Sequence, residues 1–239
     1  LADRAERVAL VTGAAGGIGT AIAARLASDG WSVHAVDADD GDLTTREGNR
    51  AVVDAALARF GRLDAVVANA GFQHVAPVPE FPEERWDALL ALLLTSPFLL
   101  AKYAWEALRE SGDGRFLAIA SVHGLVASPY KAAYVSAKHG LLGLVKVLAL
   151  EGAPVGISAA AICPAYVRTP LVEAQLADQA RAHGLPEEQV LEEVLLAPQA
   201  VKRLLEPEEV AAAAAFALGR DGRALTGAPL VLDLGWTAR

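Results

Sequence analysis

The sequence predicts one α/β domain built on a parallel sheet with helices over both faces, and three observations predict it. Short apolar runs of strand composition alternate with longer helical ones, no linker, repeat or low-complexity tract divides the chain, and a glycine-rich turn separates the first strand from the first helix. The runs at 7–12, 32–37, 63–68, 116–120, 157–162 and 230–232 read as strands. The runs are continuously apolar, the pattern of strands buried on both faces. Parallel neighbours need crossover connections, and the intervening helices supply them. With 239 residues the chain can bury a large core, and 54% apolar against 21% charged residues excludes disorder.

The turn after the first strand reads Thr12-Gly13-Ala14-Ala15-Gly16-Gly17-Ile18-Gly19 and runs into a helical stretch at 21–27. Glycines permit positive φ and let backbone N–H groups approach a pyrophosphate, which the positive end of the following helix favours. Strand, glycines and helix in this order predict a doubly wound Rossmann-type domain that binds a dinucleotide. Asp37 ends the second strand, where a carboxylate accepts both ribose hydroxyls of an adenosine and repels a 2′-phosphate. No arginine stands beside it in His34-Ala35-Val36-Asp37-Ala38-Asp39-Asp40, so NAD is expected rather than NADP.

Tyr134 and Lys138 lie four apart in a helical stretch and share one face of it. A phenol titrates near pH 10, and a neighbouring ammonium favours its ionised form, so such a tyrosine serves as base toward an alcohol or acid toward a ketone. Ser121 follows the 116–120 strand, at the sheet end where ligands bind, and can donate a hydrogen bond to a developing alkoxide. Tyr130 has Tyr134 rather than a lysine four residues on, which makes it the poorer base.

These motifs resemble those of the short-chain dehydrogenase/reductase family over essentially the whole chain, including its TGxxxGxG pattern. Further landmarks are Asn69-Ala70-Gly71 and Pro164-Ala165-Tyr166-Val167-Arg168-Thr169. The resemblance implies a cofactor site at Gly13, Gly17, Ile18, Gly19, Asp37, Asp42, Leu43, Asn69, Ala70, Gly71, Tyr134, Lys138, Pro164, Val167 and Thr169. In it, Asp42 and Leu43 flank the adenine, Lys138 also holds the nicotinamide ribose, and Val167 and Thr169 meet the carboxamide or pyrophosphate. A closer likeness, to the branch of that family that oxidises 3-hydroxybutyrate, is carried by the runs 71–77, 121–131, 169–175 and 235–237. It implies that Gln73, His123, Lys131 and Gln175 bind a substrate carboxylate, with Trp236 near the pocket. Amide, imidazole and ammonium donors suit a small hydroxy acid or keto acid.

The chain departs from the family in two places. An asparagine that holds a water in the family's proton relay is matched by Leu93, and no asparagine follows Asn69. An apolar side chain cannot fix that water, so slower proton transfer is expected unless another group substitutes. Between Asp37 and Asp42 only 38–41 remain, where a helical crossover needs at least about 10 to 12 residues. A six-stranded sheet with the second strand at its edge, a shallower adenine pocket and weaker NAD binding are expected.

The segment 169–206 breaks the alternation: it is helical in composition, carries Glu187, Glu188, Glu192 and Glu193, and reads as a small helical lid within the same domain. A formal charge of −8 with no basic stripe excludes nucleic acid as an expected partner. Cys163, the single cysteine, reads as a small buried hydrophobe and fits a reducing compartment. Leu1-Ala2-Asp3-Arg4 has no apolar leader core, so a cytoplasmic location is expected. The apolar stretch 88–105 is interrupted by Thr95, Ser96, Pro97 and Lys102 and barely reaches a membrane-spanning length of about 20 residues, so it reads as a buried or interface helix. No membrane partner and no metal site are expected. The apolar stretches 86–108 and 134–150 exceed what one sheet face covers, which together with the resemblance suggests a homotetramer.

Overall fold

The structure is a computed structural model that describes residues 7–238; the stretch Leu1-Ala2-Asp3-Arg4 lies outside them. Six strands form one parallel sheet: β1 (Val8–Thr12), β2 (Ser32–Val36), β3 (Ala65–Ala68), β4 (Gly114–Ile119), β5 (Ile157–Pro164) and β6 (Pro229–Leu232), in the order β2-β1-β3-β4-β5-β6. The six expected strands all form, with ends displaced by a few residues, as where β4 starts at Gly114. The chain reverses its direction of winding between β1 and β3, and in sheets of this kind the crevice beyond that switch point takes the ligand.

Alternate residues of each strand serve opposite faces. Val8 and Leu10 of β1 join the core under α2 (Arg46–Phe60), α4 (Ser96–Glu110) and α5 (Ala132–Gly152). Ala9 and Val11 join the core under α1 (Gly17–Ser28) and α9 (Pro207–Leu218). Both faces are therefore apolar, which is why the strands lack polar alternation. Cys163 lies in the first of these cores and is fully buried.

The helix α3 (Glu83–Leu90) passes through a π-helical turn, Ala91–Thr95, into α4. The combined helix Glu83–Glu110, like Ala132–Val155, is long and apolar enough to cross a membrane, but Leu100, Ala101, Ala104 and Leu108 pack on the sheet. Three short helices, α6 (Pro170–Glu173), α7 (Leu176–His183) and α8 (Glu187–Val190), and a π turn at Leu191–Leu195 fill the segment after β5. They close over a small core of Tyr166, Val172, Val190 and Leu195.

After β2 the chain makes one 3-10 turn, Ala38–Asp40, and enters α2, which leads to β3 on the far side of β1. Among the described residues no strand lies beyond β2, as the shortened crossover predicted. Asn49 secures the joint: its Nδ2 donates to the carbonyls of Leu43 and Thr45 at 2.8 and 2.6 Å, and its Oδ1 accepts from Ser96 Oγ at 2.6 Å.

Candidate active site

The glycine turn is fixed by close approach. A side chain on Gly19 would overlap the carbonyl oxygen of Gly13, and a Cβ on Gly17, at φ +47°, would stand 2.6 Å from Thr169 Cγ2. Thr12 Oγ1 accepts the backbone N–H groups of Asn69 and Ala70 at 3.0 and 3.1 Å, while Asn69 Nδ2 donates to the carbonyls of Thr12 and Gly13 at 2.9 and 3.0 Å. These bonds clamp the ends of β1 and β3 together, so Asn69 shapes the turn.

Asp37 caps the 3-10 turn. Its Oδ1 accepts from Ala38 N and its Oδ2 from Ala15 N, both at 2.8 Å, so the carboxylate also braces the glycine turn. Asp42 is exposed, and the hydroxyl and N–H of Thr44 hold its carboxyl below the usual range. Leu43 is buried beside it.

A cleft of about 820 Å³ runs from Gly13, Gly17 and Ile18 past Asp37, Asp42 and Leu43, along Asn69, Ala70 and Gly71, to Ser121, Tyr134 and Lys138, with Pro164, Val167 and Thr169 on the opposite wall. Gly19 is buried in the turn beneath it. Every cofactor residue expected from the sequence lies on this cleft or, for Gly19, directly under it. Its volume, its glycines and the acidic residues Asp37 and Asp42 fit a nicotinamide dinucleotide.

At the inner end, Ser121 caps the 3-10 turn Val122–Gly124, its Oγ accepting from His123 N at 3.1 Å. Tyr134 and Lys138 project from one face of α5, with Lys138 Nζ 5.5 Å from the centre of the Tyr134 ring and donating to Ile119 O at 2.7 Å. The Tyr134 ring is partly open to the cleft while its hydroxyl lies deep. Burial raises the phenol, a hydrogen bond from Ser121 draws it back, and burial lowers the Lys138 ammonium to about 8. Burial therefore outweighs the neighbouring ammonium here, against the expectation from spacing alone, because both groups leave water together. Cys163 nearby is pushed up to about 11 by burial, which keeps its thiol protonated.

Gln73, His123, Lys131 and Gln175 share the cleft wall. Lys131 is only 2% exposed; its Nζ donates to Tyr166 Oη at 2.7 Å, and burial lowers it to about 7. His123 is 3% exposed, and both its ring nitrogens are engaged: Nδ1 with Ser121 Oγ at 3.3 Å, Nε2 with Ser128 Oγ at 2.9 Å. The carboxylate contact implied for His123 would require one of these bonds to break. Gln175 Nε2 donates to Leu171 O at 2.9 Å. Trp236 stands behind the wall, its ring 5.4 Å from that of His123 and 5.6 Å from that of Tyr166. Leu93 reaches the cleft and packs with Leu89, Ala133, Ala137 and Tyr134. Tyr166 and Ser128 are site residues that sequence reasoning did not single out. The available signals were the positions of Tyr166 inside the 164–169 run and of Ser128 inside the 121–131 run.

A doubly wound sheet with a glycine turn, a serine at a strand end and a tyrosine and lysine one turn apart is the arrangement of an oxidoreductase. A family model described as Enoyl-(Acyl carrier protein) reductase matches residues 13–237. The chain is 43% identical to an uncharacterised oxidoreductase, YxjF, of Bacillus subtilis, over 98% of this chain and 99% of that protein. It is 40% identical to a D-beta-hydroxybutyrate dehydrogenase of Rhizobium meliloti, again over 98% and 99%. The aldohexose dehydrogenase of Thermoplasma acidophilum superposes with a TM-score of 0.87 at 28% identity, over 98% of this chain and 95% of that one. The chain belongs to the short-chain dehydrogenase/reductase family and is an oxidoreductase.

Proposed function

We propose that the protein interconverts a small secondary hydroxy acid and its keto acid, D-3-hydroxybutyrate and acetoacetate first among them, with NAD as redox partner. The observation that carries this reading is the buried Lys131 ammonium on the cleft that Ser121 and Tyr134 also line. It has no carboxylate partner among the described residues, and an unpaired buried charge is costly until an anion meets it. A substrate carboxylate, also reached by Gln73 and Gln175, supplies that anion. The likeness to the Rhizobium meliloti enzyme supports the same substrate.

Bound in the cleft, NAD supplies the hydride acceptor for alcohol oxidation. Tyr134 takes the hydroxyl proton from the substrate, or gives it back to a ketone, and Ser121 donates a hydrogen bond to the same oxygen. Lys138, at about 8, holds positive charge close to the phenol over the physiological range. Asp37 and Asp42 on the cleft, with no arginine among its lining residues, favour NAD over NADP. Exposed Phe98, Val147 and Leu150 on α4 and α5 support assembly as a homotetramer.

The test is to mix the protein with NAD and D-3-hydroxybutyrate and follow reduced-nicotinamide absorbance. Reduction confirms the reading, and its absence with this acid but presence with another alcohol moves the substrate. Leu93 and the shortened crossover favour a second reading, a dinucleotide-binding protein of impaired turnover. NAD binding without reduction across a hydroxy-acid panel would establish it.

A further inference from the structure

His123 is more constrained than its neighbours in the cleft. Its ring meets those of Tyr134, Tyr166 and Trp236 edge-on, with centres 5.9, 6.2 and 5.4 Å away, so it has no room to turn. Burial and the nearby Lys131 ammonium press its titration down to about 3, which leaves the ring neutral at physiological pH. A neutral imidazole carries one proton, so one nitrogen donates and the other accepts.

Which nitrogen donates decides where the Ser121 proton points. Ser121 Oγ already accepts the His123 backbone N–H at 3.1 Å and lies 3.3 Å from Nδ1. If Nδ1 were bare, the single Ser121 proton would be drawn to it and away from the Tyr134 hydroxyl. With the proton on Nδ1, both acceptor positions of Oγ are filled by His123 and the O–H of Ser121 is left free to point at the oxygen beside Tyr134. Nε2 is then the acceptor, and the Ser128 hydroxyl at 2.9 Å is its donor.

We propose that Ser128 and His123 are positioning residues for Ser121: Ser128 donates to Nε2, this fixes the imidazole proton on Nδ1, and Nδ1 turns the Ser121 hydroxyl toward the reacting oxygen. The inference rests on the oxidoreductase reading for its purpose but not for its geometry. A hydroxyl thus orients a histidine that orients a second hydroxyl, the ordering logic of nucleophile triads applied to a hydrogen-bond donor.

The tautomer is read directly by nitrogen-15 NMR of the protein as purified, labelled at histidine, without added cofactor. The expected result is a neutral His123 with Nδ1 protonated and Nε2 bare, shifting toward the Nε2-protonated form in Ser128→Ala and returning in Ser128→Thr. An Nε2-protonated ring in the unaltered protein, or the same tautomer after Ser128→Ala, overturns the proposal whether or not the enzyme turns over. Kinetically, removing a whole oxyanion donor costs roughly a hundred- to a thousand-fold, so misdirecting one should lower kcat about ten-fold in Ser128→Ala. The KM for the hydroxy acid should stay within about two-fold; a rise in KM at unchanged kcat would return His123 to carboxylate binding. Absence of turnover in the unaltered protein with every hydroxy acid would defeat the functional reading, and the NMR result would still decide this one.

Discussion

Lys131 sets the pH dependence at the level of single residues. Burial lowers its ammonium to about 7, so the free enzyme holds the charge below that pH and loses it above. The KM for a hydroxy acid should therefore rise as pH climbs through about 7, about ten-fold for each unit beyond, and Lys131→Met should raise KM at low pH and flatten the profile. Steady-state assays from about pH 6 to 9 check both. Tyr134→Phe keeps the ring and removes the titrating oxygen; turnover should fall at least a hundred-fold while NAD still binds, as read by absorbance and by fluorescence titration. Ser121, Tyr134 and Lys138 were legible because helix periodicity and a strand end place them together. Tyr166 was not: it meets Lys131 across 35 residues of chain through the packing of β5 against α5, and no local pattern records such a contact.

Among elements, the helix that runs from Glu83 to Glu110 shows both the reach and the limit of sequence reasoning. Its apolar character was evident, but the π turn at Ala91–Thr95 was not, since Leu92-Leu93-Leu94 suits either winding and tertiary packing selects it. That turn delivers Leu93 to the cleft against Leu89, Ala133, Ala137 and Tyr134. Leu93→Asn should raise turnover by restoring a polar anchor for water, and at the same time cost about 1–3 kcal/mol of stability, because the amide replaces a side chain in an apolar cluster. Turnover and urea denaturation measured on the same preparation test the two halves; unchanged turnover would show that the proton leaves by another path. The six strands were readable from their apolar runs, and the absent edge strand from the four residues 38–41, because a parallel connection has a minimum length. The clamp made by Asn49 was hidden, since Ser96, its partner beyond the local carbonyls of Leu43 and Thr45, meets it only after α2 and α4 pack.

At the scale of the molecule, α4 and α5 pack on one face of the sheet and still present Phe98, Val147 and Leu150 outward, the last 77% exposed. Association into a tetramer would bury them. Replacing Val147 and Leu150 together by glutamate should give smaller species in sedimentation velocity without loss of the folded sheet, because both positions are solvent-facing in the single chain. An assembly unchanged by these charges would place the subunit contact elsewhere.

The open flank along β2 also bears on the timing of catalysis. With Asp42 in solvent and, among the described residues, no strand beyond β2, a dinucleotide seated as proposed would have less to let go of on leaving. Departure of product commonly limits enzymes with deep nucleotide seats; under the proposed function a shallow seat would trade grip for quick exchange, and the rate should then follow bond-making, read as a kinetic isotope effect on turnover with deuterated hydroxy acid.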